Sequence, residues 1–215
     1  MDSASRNGLP AWSIAKINLR HNFLPYLALA ALILMLTPVL FGTSGLDSQA
    51  SAAPLESWVS LVGIVLLTPI FQPEQNPHIR EIVSSKWMSQ LYVHLIRLIY
   101  SGAALLALIG LFVLYMKFND CKVTLPLMFG TVASAVFLGS LGMLSSAATN
   151  NTAAAYMIPA SFYAMNLVGG VRLGSFDLFS MMDGQYDQKI WLLASSAVMV
   201  SVSLVLSAAH SDRVG

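Results

Sequence analysis

The sequence predicts an all-α polytopic membrane protein with six transmembrane helices, an N-terminal amphipathic interfacial helix and both termini cytoplasmic. Three observations carry that class. The chain has 215 residues, 56% hydrophobic and 10% charged, and its mean hydropathy is +0.70; a soluble domain of this length needs a larger charged surface. Several apolar runs approach or exceed 18 residues, the length that carries a helix across a hydrocarbon core of roughly 30 Å. The runs are continuous, whereas a membrane β-barrel is built from short alternating segments.

The first span is expected at 23–41, FLPYLALAALILMLTPVLF. A Gly/Ser/Ala loop follows, and a second span at 57–72 is lengthened by interfacial Trp58. The third span covers 91–116 and ends at KFNDCKV; the fourth covers 124–148 and turns at TNNT. The fifth covers 153–173, with Pro159 able to kink it and Gly169–Gly170 able to break it; the sixth covers 189–209. Spans four to six are rich in Gly, Ala and Ser, which lets helices approach closely in lipid. GTVASAVFLGSLG in the fourth reads as a packed, protein-facing helix.

Orientation follows from the cations. With cytoplasmic termini, the inner segments hold Arg6, Lys16, Arg20, Arg80, Lys86, Arg97 and Arg213, and the outer ones only Lys117, Lys122, Arg172 and Lys189. Asp47, Glu56, Asp120, Asp177, Asp183 and Asp187 fall outside. A formal net charge of +1 points to no nucleic-acid partner, and a single cysteine, Cys121, allows neither an intrachain disulfide nor a cysteine metal cluster. The first 22 residues carry no apolar core behind a basic start, so no cleavable signal peptide is expected and a span is expected to act as the insertion signal.

Two polar stretches have helical periodicity. In 11–22, AWSIAKINLRHN, Trp12, Ala15 and Leu19 share one face, while Lys16 and Arg20 sit four apart on another. This fits an interfacial helix with its cations toward anionic headgroups; the other reading is an extension of the first span. In 77–89, Asn76 serves as N-cap and Pro77 as first helical residue. Ile79, Ile82, Val83 and Trp87 then form one apolar stripe, flanked by Arg80, Glu81 and Ser84. Glu81 in the first turn and Lys86 near the end agree with the helix dipole. Such a helix either only links two spans or offers a docking surface.

The order of these parts resembles the permease subunits of type-2 ABC exporters: an amphipathic leading helix, six spans, cytoplasmic termini and a short helix between spans two and three. In that family the helix of the first cytoplasmic loop docks on the ATPase subunit. The matching segment here is NPHIREIVSSKWM, preceded by PIFQPEQ with Glu74 and followed by LYVHLIRLIY with Tyr92, His94 and Arg97. GSFDLFSMMDGQYDQ, 174–188, is similar to the family's partly re-entrant outer segment, with Phe176, Leu178, Phe179, Met181 and Met182 at the outer interface and its aspartates in water. The resemblance implies a multi-pass plasma (inner) membrane protein that exports a hydrophobic, peptide or lipid-like cargo. It implies an ATP-binding cassette subunit as partner, with ATP and Mg held there, and a second permease, either a homodimer partner or a related chain. It makes Ile79, Arg80, Glu81, Ile82, Val83, Ser84 and Trp87 the ATPase-coupling residues. The chain itself has no GxxxxGK[ST] loop for ATP.

Among single residues, Tyr163 and Asn166 lie three apart inside the fifth span. A polar pair at that depth faces protein or water, so it lines a transport pathway or bonds a neighbouring helix. Arg97 is expected to snorkel to the inner interface, His94 to hydrogen-bond there, and Arg172 to reach outward or pair with Asp177. His78, Glu81 and His94 do not share a face, so no metal site is expected. An intramembrane enzyme needs a nucleophile with a base, a carboxylate pair or a metal; the span cores as bounded here hold no Asp or Glu, and no catalytic residue is expected. The remaining alternative is an accessory or immunity-type integral membrane protein with no transport of its own, whose 77–89 helix would meet lipid.

Overall fold

The structure, a computed structural model, describes residues 23–75, 90–168 and 174–212. The expected helices at 11–22 and 77–89 lie outside the described residues, and so do Ile79, Arg80, Glu81, Ile82, Val83, Ser84, Trp87 and Arg172. The described residues form helices, turns and connecting loops, with no strand.

Helix α1, Leu24–Phe41, starts with a proline in its first turn and ends at Gly42, whose φ of 60° and N–H bond to Pro38 O at 2.9 Å form a left-handed cap. Pro38 inside it withholds one backbone donor. Near that point the Ile33 carbonyl accepts from Thr37 Oγ1 at 2.9 Å and from Trp58 Nε1 at 3.1 Å.

The second span is broken. It comprises α2, Ala52–Ser57, a 3-10 turn at Val59–Leu61, α3, Val62–Leu67, and a second 3-10 stretch, Thr68–Gln75. Ser57 and Ser60 each donate to the carbonyl four residues back at 2.5 Å, a bond that competes with regular helix. Pro69 and Pro73 give no N–H to an α-helical ladder, and there the chain tightens. The apolar stretch runs over Ala52–Gln72, so it begins five residues before the expected 57 and takes Glu56 inside the span.

Four helices complete the chain: α4, Gln90–Phe118; α5, Leu125–Thr149; α6, Thr152–Val168; and α7, Gln188–Asp212. Asn150, with φ 49°, closes α5, and Asn151 Oδ1 accepts from Ala153 N at 2.8 Å to start α6. Five stretches among the described residues are long and apolar enough to cross a membrane: α1, the second span, α4, α5 and α7. This is one fewer than the six expected. The stretch expected as the fifth span forms helix α6, whose 17 described residues do not place it among those five.

Contacts at the helix ends fix the direction of each element. At one end Tyr26 donates to Gln72 Oε1 at 2.7 Å, and Arg97 Nη1 donates to Ile70 O at 3.0 Å. There His94 stands edge-on to Phe71 and 3.5 Å from Ser207 Oγ. At the opposite end Gly45 N donates to Asn119 O at 2.9 Å, Lys122 N to Leu46 O at 2.9 Å, and Gln49 Nε2 to Met182 O at 2.7 Å. The starts of α1 and α4 and the ends of the second span and α7 therefore share one end. Successive elements alternate in direction through the bundle.

The second span and α5 are its centre, with 78% and 67% of their apolar windows buried, against 17% for α1, 28% for α4 and 17% for α7. A methyl group added at Gly63 would run into the backbone of Ala135, and one at Gly139 would meet Leu67 Cβ at 2.7 Å. Backbone approach of this kind is what small residues supply where lipid offers no hydrophobic drive. The expectation that GTVASAVFLGSLG is a protein-facing helix agrees with this packing. Large side chains on α1 and α7 point outward, among them Met35, Val39, Ile190 and Val205.

Candidate functional site

Glu56 and Lys189 meet inside the bundle. Glu56 is the fifth residue of the Ala52–Gln72 stretch, about 6 Å along it at a rise of 1.5 Å per residue. Lys189 is the second residue of α7. Lys189 Nζ lies 2.6 Å from Glu56 Oε1, and the two side chains are 6% and 0% exposed. Glu56 was expected in an outer loop, and Lys189 at the outer end of the sixth span. The correction has a simple cause: the second span starts earlier than its longest apolar run, and a lysine in the first turn of a helix turns inward when a carboxylate awaits it.

All three ammonium donors and both carboxylate oxygens of this pair are engaged. A lysine ammonium has three N–H donors. These go to Glu56, to Ser134 Oγ of α5 at 2.9 Å and to the Leu178 carbonyl at 2.5 Å. Glu56 Oε1 also accepts from Met181 N at 2.9 Å, and Oε2 accepts from Met182 N at 3.1 Å. Charge-assisted bonds to backbone amides are short and strong, and saturation is what permits two charges to sit at this depth. Gly130 of α5 makes the room: a methyl group there would strike Met181 and reach within 3.3 Å of Lys189 Cγ.

The segment that caps the pair joins α6 to α7. Its apolar residues do not all lie at the outer interface as expected. Phe176 is 41% exposed, whereas Leu178 and Met181 are fully buried. Leu178 packs with Ile64, Phe137, Leu138 and Leu192. Asp177 Oδ1 accepts from Phe179 N at 2.8 Å within the segment.

Tyr163 and Asn166 come to the same region. The Tyr163 hydroxyl donates to Ser57 O of the second span, and its ring meets Phe179 edge-on at 5.7 Å between centroids. Asn166 Oδ1 accepts from Leu178 N at 3.3 Å while Nδ2 donates to Phe162 O at 3.0 Å. Of the two readings open for this pair, its described contacts are with neighbouring protein.

Arg97 is 4% exposed and caps a carbonyl at the end of the second span. Where snorkelling to the inner interface was expected, its guanidinium is buried against protein, with Ile70 O, left near Pro69 and Pro73, as an acceptor. His94 is 1% exposed, buried between Phe71 and Ser207.

Among the described residues no three of His, Cys, Asp and Glu converge in a way that would hold a metal. Cys121 is buried and unbridged. A groove of about 510 Å³ opens between α1 and α4, lined by Leu34, Met35, Pro38, Leu108, Phe112 and Tyr115 among others. Its walls are apolar apart from the Tyr115 hydroxyl, so nothing in it orients a polar reactant. The Glu56–Lys189 pair joins the second span, α5, α7 and the 174–187 segment.

The signal for the pair was present in the sequence: two isolated opposite charges, in PLESWV and QKIWLL, each within about a turn of a span and at the same end. Placing Glu56 in a loop and Lys189 at the water-facing end of a span hid it. No family model, curated protein or solved structure matches the chain.

Proposed function

We propose that this chain is the membrane permease subunit of an ATP-driven export system of the type-2 ABC class, moving a hydrophobic, peptide or lipid-like cargo. The observation that carries the reading is the order of parts. Elements of alternating direction are followed by a segment that turns back into the bundle between α6 and α7 and docks on the second span. In this reading α6 is the fifth of six spans and α7 the sixth, both termini are cytoplasmic and residues 11–22 lie on the inner leaflet. The end bearing Glu56 and Lys189 is the outer one. The 77–89 helix takes the thrust of a separate ATPase, with Ile79, Ile82, Val83 and Trp87 as anchors and Arg80, Glu81 and Ser84 as polar contacts. The outward apolar faces of α1 and α6 meet lipid or a second permease, and Tyr163 and Asn166 stand beside the pathway at its outer end.

The test is purification from the native host in mild detergent, with mass spectrometry of what accompanies the chain. A stoichiometric partner bearing a GxxxxGK[ST] loop is expected. In that complex Arg80→Ala with Glu81→Ala lowers cargo-stimulated ATP hydrolysis and leaves the bundle folded. Recovery of the chain alone, under conditions that keep complexes intact, overturns the reading in favour of an accessory membrane protein.

A further inference from the structure

We propose that residues 175–183 form a lid over one end of the bundle, hinged at Gly174 and Gly184 and latched shut by the Glu56–Lys189 pair. The proposal does not rest on the export reading; it concerns a movement this fold is built to make.

The hinges are visible in the backbone. Gly174 has φ +59° and Gly184 has φ +75°, a region side-chain-bearing residues rarely adopt, and no heavy atom lies near the added methyl at either position. At Gly184 two backbone bonds, Gly184 N to Met181 O at 3.0 Å and Gln185 N to Ser180 O at 2.9 Å, are what a rotation must break or carry along. Between them the lid presents both backbone polarities to one site. Its Met181 and Met182 N–H groups face the carboxylate, and its Leu178 carbonyl faces the ammonium. One acid and one base thus read a short run of main chain that any sequence would carry.

The latch can let go without stranding a charge. When the lid lifts, its bonds to Glu56 and Lys189 break, but Glu56 and Lys189 keep each other at 2.6 Å and Lys189 keeps Ser134. The pair stays neutral in the open state, which removes the main cost of exposing a charged site near a membrane. Opening also relieves a debt. The Ser180 hydroxyl is buried in the closed lid with no hydrogen-bond partner, and lifting returns it to water. Against this stand Leu178 and Met181, which leave apolar pockets, together with the bonds from Asn166 and Gln49. A closed state with both a specific latch and a built-in defect is suited to reversible opening.

The experiment uses the full chain in lipid nanodiscs. In a Cys121→Ala background, Leu178→Cys places one thiol beneath the lid and Leu105→Cys, in a separate chain, places one in the buried middle of α4. A water-soluble maleimide reads both. Lys189→Met should speed labelling at Leu178→Cys about tenfold or more, as a latch worth about one decade of opening requires, and leave Leu105→Cys protected. The exchange Glu56→Lys with Lys189→Glu keeps an ion pair but turns a donor toward the lid's amides and an acceptor toward its carbonyl; labelling should stay fast. Protection restored by that exchange overturns the proposal, because the pair then serves only charge balance. Joint labelling of both thiols overturns it too, because the pair then holds the whole bundle. In the unaltered chain, amide exchange over 178–184 should outpace that of the α5 amides near Ala135 and Gly139; equal protection means no lid opens.

Discussion

The second span is gripped from two sides in two different ways. Toward α5 it is held by shape, with Gly63 and Gly139 letting backbones touch. Toward the 174–187 segment it is held by one carboxylate, which binds two amides and a lysine. The first contact is made of many small dispersion terms and has no alternative arrangement, since a backbone cannot rotate out of the way. The second consists of a few strong, directional bonds that are either made or broken. A membrane bundle with both has a rigid centre and one end that can be reset.

Three substitutions break or sharpen that contrast. Gly63→Val has the largest expected effect. Overfilling a core costs typically about 1–3 kcal/mol, and here the obstruction is the Ala135 backbone, so the cost exceeds that range and no monodisperse folded chain should be recovered in detergent. Glu56→Gln leaves Lys189 without its counter-charge; breaking a buried pair on one side costs about 3–5 kcal/mol, read as a lower midpoint of denaturant unfolding in detergent. Met181 and Met182 amides should gain exchange more than α5 does. Tyr163→Phe removes one hydroxyl bond to Ser57 O and keeps the ring against Phe179. Hydrogen bonds between membrane helices average about 0.6 kcal/mol, so only a slight shift in that midpoint is expected. A Tyr163→Phe loss as large as that of Glu56→Gln would show that α6, not the ion pair, holds the segment.

The spans were legible because their signal is local. α1, α4, α5 and α7 lie within a few residues of the expected 23–41, 91–116, 124–148 and 189–209. The second span was the exception. Pro54 and Glu56 interrupt its apolar run, and a reading that follows hydropathy starts after them. Tyr163 and Asn166 were singled out correctly as polar groups inside a helix, yet only the fold shows that both turn to the second span and the capping segment. The inward turn of Leu178 and Met181 was likewise out of reach, since apolar residues at an interface and apolar residues plugging a bundle have the same composition.

By itself the sequence determined the solvent this protein lives in and the length, order and ends of most of its helices. Those follow from transfer of side chains to hydrocarbon and from prolines, glycines and asparagines that act on the nearest turn. The tertiary structure alone decided which helices occupy the centre and which charges find each other. Glu56 and Lys189 are 133 residues apart. A charge near a span end is stable either in water or against an opposite charge, and no local property of PLESWV or QKIWLL chooses between them. The choice was made when α7 packed on α5 beside the second span and brought the lysine within 2.6 Å of the acid.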